Sequence, residues 1–186
     1  TAAKIREAKA VKPVIAIANT DAASAAYWLG SQADELVVTP SGAVGSIGIY
    51  MAHTDWSGYE EQNGIKTSLI SAGKYKVEGN PYEPLTDEAA AAMQDTVDQF
   101  YSMFTEGVAA GRKTDAATVK ANYGQGRMMT ASDALSAGMV DRIDTLDNTL
   151  AGLAGKLTGK KAATQLPSTT ALKEAARFEY NRFESS

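Results

Sequence analysis

Ser24 is the first residue of this chain whose type and setting could do chemistry. It stands in NTDAASAAYWLG (19–30), just after the apolar run VIAIA (14–18), where a helix of small residues begins. A hydroxyl at a strand–helix junction either caps the helix by accepting from its first free amides or is held out as a nucleophile. A nucleophilic serine needs a base for its proton. The chain has no cysteine and a single histidine, His53, so the bases on offer are His53, a lysine or a carboxylate. A lysine serves only when burial or nearby positive charge lowers its pKa from the ordinary value of ~10.4. Such a lysine belongs in a loop that folds over an apolar site. SAGKYKVEGNPY (71–82) is a segment of that kind, following a stretch that reads as a buried strand and carrying glycines that allow close backbone approach. Lys74 and Lys76, two residues apart, share a face of an extended chain. Each of these residues also has a plainer reading. Ser24 is a cap or a small packing residue, and the two lysines are solvated. Ser41 and Ser46, in the glycine-rich SGAVGSIG, are turn residues. His53 closes the alternation Ile47, Ile49, Met51, His53 and so reads as a packed or capping side chain.

The bulk composition narrows the classes. The chain has 186 residues, which points to one domain with a possible tail, and its 44% hydrophobic content suffices for a core. A net charge of −4 argues against a nucleic-acid footprint. Without cysteine there is no disulfide, thiolate metal site or cysteine nucleophile. One histidine excludes a multi-histidine metal site within one chain, and no cofactor or metal is expected. The glycine loop lacks the Gly-Lys-Ser/Thr ending of a phosphate-binding loop. No run approaches the ~20 apolar residues needed to cross a bilayer. The charged opening TAAKIREAKA has no apolar signal region.

These groups need elements to position them. Residues 2–10 read as a helix ended by Pro13, and 14–18 as a strand buried on both faces. Residues 23–31 read as a helix, and 35–40 as a strand ended by Pro40. IYMAHT (49–54) and KTSLIS (66–71) read as strands flanking a helix over 56–64 that stops at Asn-Gly. Thr86 caps a helix of about 25 residues, with Asp87 and Glu88 in its first turn. Its apolar stripe is Ala90, Met93, Val97, Tyr101, Phe104 and Val108, a 3.6-residue period. ASDALSAGMVDRI (131–143) reads as helix, Gly138 stop and strand. Alternating strands and helices predict an α/β fold with crossover connections. Residues 1–149 form the expected core. Residues 150–186 form a linker and tail, within which 171–183 could make an amphipathic helix.

Taken together, AASAAYWLGSQADELVVTPSGAVGSIGI, AGKYKVEGNPYEPLT and ASDALSAGMVDRI resemble three segments of the signal peptide peptidase A family of serine–lysine proteases. KPVIAIAN, GSIGIYMAHT and KVEGNPY resemble its phage head, or capsid-maturation, branch. The resemblance spans roughly residues 1–145. It implies a crotonase- or Clp-protease-like parallel sheet with flanking helices. It also implies Ser24 as nucleophile, Lys76 as general base and Ser46 as the hydroxyl that orients the lysine amine. The backbone N–H of Ser24 becomes one oxyanion donor. Family members carry a strand and an Asp-Ser-Pro-Gly-Gly-like turn ahead of the first helix. This chain opens inside that helix, so the expectation is a truncated or processed piece.

The implied activity is serine endopeptidase action by a Ser/Lys dyad on phage scaffold or head proteins. The setting would be the host cytoplasm or procapsid, the active form a homo-oligomer, and no nucleic acid or membrane span would be involved. Two rivals stand beside it. One is a Clp-type Ser/His protease with His53 as base. The other is a proteolytically inactive scaffold-binding or assembly module.

Overall fold

The computed structural model describes residues 1–158. Within Thr1–Ile143, the first of the chain's two units, small and β-branched residues build two short sheets. The first contains β1 (Ile15–Ala18), β3 (Glu35–Val38) and β6 (Arg142–Ile143), all parallel in the order β1-β3-β6. The second contains β2 (Asp21–Ala23), β4 (Ala43–Gly45) and β5 (Met128–Thr130) in the order β2-β4-β5, with β5 antiparallel to β4. The chain is thus mixed α/β, with a parallel sheet and flanking helices.

The helices follow from their caps and apolar faces. Ala-rich α1 (Ala2–Lys9) ends ahead of Pro13. Between β2 and β3 lies α2 (Ala25–Gly30), and α3 (Ser57–Gln62) stops at Asn63 and Gly64, whose φ is +66°. The long helix α4 (Asp87–Arg112) starts where the Thr86 hydroxyl accepts the Ala89 amide, a cap worth ~1 kcal/mol. It ends at Lys113 in the left-handed conformation, φ 56°. Asp115 caps α5 (Ala116–Asn122), and Thr130 caps α6 (Ala131–Ser136). Gly138 then turns the chain at φ +77°.

Tyr27, Leu36, Val38, Val44, Ile47, Phe104, Val108, Val119 and Met139 form the centre of the core. Trp28 stacks on Phe104, with ring centroids 5.1 Å apart, and joins α2 to α4. The Tyr27 hydroxyl donates to the Met139 carbonyl at 2.9 Å. Burial is the main reason its own proton is held far more tightly than usual. Arg112 grips Asp141 through two hydrogen bonds of 2.8 and 2.9 Å and also donates to the Gly138 carbonyl. Asp141 in turn accepts the Leu36 amide at 2.7 Å. The end of α4, the turn after α6 and β3 are held together at this one point.

Four sequence expectations are revised. Residues 49–54 and 66–71 have strand-like composition but form no strand, because none of the described residues lies alongside to pair with them. Among the described residues the strand at 15–18 lies at the edge of its sheet, and Ile15, Ala16 and Ile17 are half-buried rather than covered on both faces. The stripe on α4 is buried only at its C-terminal end, at Phe104 and Val108; Met93, Val97 and Tyr101 are half-buried. In the second unit, Thr145 caps a helix α7 (Leu146–Thr158), which runs through the start of the expected linker. The expected helix at 171–183 lies outside the described residues.

Candidate active site

β2 and β4 run in parallel with Ala23 opposite Gly45. The two residues that follow, Ser24 and Ser46, therefore leave the sheet side by side. The Ser24 amide donates to the Gly45 carbonyl at 2.8 Å, and the Ser46 amide to the Arg127 carbonyl at 3.0 Å. Ser24 has φ 52° and ψ −121°, and Ser46 has φ 53°. Among the described residues only two other non-glycines have positive φ, Lys113 and Gln125. The first is a helix C-cap and the second lies in the tight turn Gly124–Gly126. A non-glycine held in such a region costs ~1–3 kcal/mol and persists only where its surroundings enforce it. Here the enforcement is the hydrogen-bonded ladder β2-β4-β5.

Ser24 occupies the N-cap position of α2, yet its side chain does not cap. Its Oγ makes no hydrogen bond, and neither do the amides of Ala25, Ala26 and Tyr27 in the first turn. The capping reading is thereby excluded, and the hydroxyl is left free beside open N–H groups. The Ser24 N–H, expected as an oxyanion donor, is already committed to Gly45. The first open amide is that of Ala25.

The structure separates the two lysines. The Lys74 ammonium lies 3.5 Å from Glu88, donates to the Tyr75 hydroxyl at 2.6 Å and sits over the Tyr75 ring. Tyr75 also donates to Glu88 at 2.9 Å. Lys74 therefore fastens its loop to the start of α4. The loop and that helix end enclose an open hollow of about 180 Å3. Lys76 is exposed and its ammonium has no hydrogen bond or ion pair. Asn80 holds the rest of the loop: its carboxamide donates to the Val77 carbonyl and accepts the Tyr82 amide, both at 2.9 Å.

His53 also belongs to that loop. Its Nε2 donates to the Asn80 carbonyl at 2.9 Å, while Trp56 N–H donates to the Pro81 carbonyl at 2.7 Å. No hydrogen bond joins His53 to Ser24. Nor does one join Ser24, Ser46 and Lys76 to each other within the chain. The strand ladder brings the two serines together; the lysine stands on a separate loop. Sequence reasoning missed the carbonyls of Gly45 and Arg127, which hold both serines. The signal lay in GQGRMMT (124–130), a glycine-flanked turn running into a short apolar strand.

The comparisons with known proteins bear on this arrangement. The model of Peptidase family S49 matches residues 6–159. The chain belongs to peptidase family S49. Among curated S49-like relatives, it is 32% identical to the head-tail preconnector protein GP5 of Enterobacteria phage P21, over 89% of this chain and 33% of that protein. It is 30% identical to capsid assembly protease C of Escherichia phage lambda, over 90% and 39% respectively. A putative signal peptide peptidase SppA of Enterococcus faecium is 29% identical over 73% and 40%. The chain thus spans a third to two-fifths of the length of these relatives. Among the described residues no helix is long and apolar enough to cross a membrane, and no group of His, Cys, Asp or Glu could hold a metal ion.

Proposed function

We propose that this S49 chain is the catalytic part of a serine endopeptidase using a Ser24/Lys76 dyad, acting on scaffold or head proteins during phage capsid maturation. The observation that carries the reading is Ser24 itself. It is strained, uncapped, and held by a ladder whose other rung positions Ser46. The relatives named as capsid assembly and head proteins supply the substrate class and the setting, host cytoplasm or procapsid. Residues 1–149 serve as the core and 150–186 as an appended segment.

In the reaction, neutral Lys76 takes the Ser24 Oγ proton as Oγ bonds to the scissile carbonyl carbon. The resulting alkoxide lies beside the open Ala25 N–H, which stabilises it better than a group already bonded could. The lysine ammonium then gives its proton to the departing amine, and the C–N bond breaks. Water repeats the sequence on the acyl-enzyme, losing its proton to Lys76 and releasing Ser24. The Ser46 hydroxyl orients the amine. A base on a loop separate from the nucleophile fits a dyad completed between chains of a ring-like homo-oligomer, where contact also dries the lysine and lowers its pKa. His53 is a poorer base, because its Nε2 is bound to Asn80.

Labelling with a fluorophosphonate tests this. The chain should label, with labelling lost in Ser24→Ala and Lys76→Ala and kept in His53→Ala. Loss in His53→Ala with retention in Lys76→Ala would establish the Ser/His reading. Capsid-protein binding by a chain that never labels would favour the assembly module.

A further inference from the structure

Arg127 follows the turn Gly124–Gly126 and stands immediately ahead of β5. Its backbone is fixed on both sides. The amide donates to the Gly124 carbonyl at 2.9 Å, and the carbonyl accepts the Ser46 amide at 3.0 Å. Its side chain is the opposite case. The guanidinium is exposed and has no hydrogen bond or ion pair. The other arginines among the described residues each hold a partner: Arg6 binds Gln32, Arg112 binds Asp141 and Arg142 binds Glu35. The charged groups on the elements around β5 are engaged elsewhere. Asp133 accepts from Thr130, Asp115 from Thr118 and Asp21 from the Ala43 amide, and Lys120 lies over the Tyr101 ring.

The strand register places this cation at the site. Ala23 pairs with Gly45, and Gly45 with Met128. Ser24, Ser46 and Arg127 therefore form the next row, across the ends of three strands. With strands ~4.8 Å apart, Arg127 stands ~10 Å from Ser24 along that row, about three residues of extended chain. We infer that Arg127 selects substrates carrying an aspartate or glutamate about three residues from the bond that Ser24 attacks. The inference rests on the reading of Ser24 as nucleophile. A peptide with its carbonyl at the Ser24 hydroxyl, laid along the row, brings a side chain to the guanidinium. A carboxylate there accepts two parallel N–H bonds from the planar fork. A lysine or arginine meets like charge. The chain as a whole carries a net charge of −4, so it has no general attraction for acidic peptides, and a preference for them must come from a local cation. Because the pair is exposed to water, it separates one substrate from another more than it tightens binding overall.

The experiment uses the full 186-residue chain in its Ser24→Ala form, so that binding is read without cleavage. The probes are labelled, otherwise uncharged peptides of one sequence that carry a single Asp, Asn or Lys, and the readout is fluorescence anisotropy. The Asp peptide should bind roughly five-fold tighter than the Asn peptide, and the Lys peptide more weakly than either. Arg127→Glu should reverse that order, and Arg127→Lys should keep it in weaker form. Both should melt as the parent does, because the backbone carbonyl that braces Ser46 remains. Lys12→Glu makes the same change of charge at an exposed residue outside the row and should leave the order as it is. A parent chain that binds none of the peptides, or all three alike, overturns the inference. So does an order unchanged in Arg127→Glu, or one that Lys12→Glu reverses equally. The dyad reading fails separately: a preference for Asp set by Arg127, in a chain whose native Ser24 never reacts with a fluorophosphonate, would retain the acid-selecting surface and lose the protease.

Discussion

The Ser24 amide and the Gly45 carbonyl meet at 2.8 Å, so the strained serine is held by a residue that must itself be glycine. Gly45 has φ +132°, and a Cβ there would stand 2.6 Å from the Arg127 carbonyl oxygen. Gly45→Ala should therefore cost ~2 kcal/mol or more and open the β4–β5 pairing that carries Ser46. Urea denaturation reads the first effect, and fluorophosphonate labelling of the folded fraction reads the second. Wild-type labelling rates in the folded variant would show that this rung does not set the serine's geometry.

Ser24 itself carries strain, and glycine tolerates φ 52°, ψ −121° where an L side chain does not. Ser24→Gly should be more stable than Ser24→Ala by ~1 kcal/mol, although neither can be acylated. The alanine variant controls for loss of the hydroxyl. Equal denaturation midpoints for the two would mean that the backbone stores no strain here.

Lys76 and Lys74 should behave differently despite their spacing. Lys76→Ala should remove activity, whereas Lys74→Ala, losing one exposed ion pair, should keep most of it. Mixing Ser24→Ala with Lys76→Ala chains, after subunit exchange is verified, should restore part of the activity through interfaces that pair an intact serine with an intact lysine. No recovery in mixed oligomers would place the dyad within one chain.

Most of the core was legible in the sequence, because its signals are local. VIAIA, ELVV, the Thr86 cap and the Gly138 stop each state their element within a few residues. The strands β2, β4 and β5 were not legible. Each has only three residues, two of them are made of small residues, and each exists only because the others pair with it. The segments 49–54 and 66–71 show the converse. Their composition specifies strands, but a strand also needs a partner, and among the described residues there is none. Ser24 and the lysine pair Lys74 and Lys76 stood out by type and setting, and the resemblance chose Lys76 and assigned the roles of Ser24, Lys76 and Ser46. That Lys74 is fastened and Lys76 free depends on Glu88, which lies in a different element and could not be paired with either lysine from spacing.

Acid should loosen the Arg112–Asp141 junction. Partial burial alone would raise the Asp141 pKa, but hydrogen bonds from Arg112 and from the Leu36 amide, with the guanidinium charge, outweigh it and hold the carboxyl below its ordinary 3.8. A lowered folded-state pKa contributes stability that is complete above the unfolded value and is lost as pH falls through the folded one. The urea midpoint should therefore drop from about pH 5 downward, and more steeply in the wild type than in Asp141→Asn. Arg112→Ala should cost ~2 kcal/mol at pH 7, a figure tempered by the partial exposure of Asp141. Parallel pH profiles for wild type and Asp141→Asn would remove this pair from the acid response.

The ladder that holds Ser24 closes with β5, at residues 128–130. During synthesis the serine and the lysine both leave the ribosome some fifty or more residues before that strand does. A nascent chain therefore carries Ser24 without the brace that shapes it until residues 128–130 are free to pair with β4. Ribosome-bound chains stopped before Gly124 should resist fluorophosphonate, while released full-length chains should react. Chain order thus sets when the brace around Ser24 can close, if Ser24 is the nucleophile proposed above.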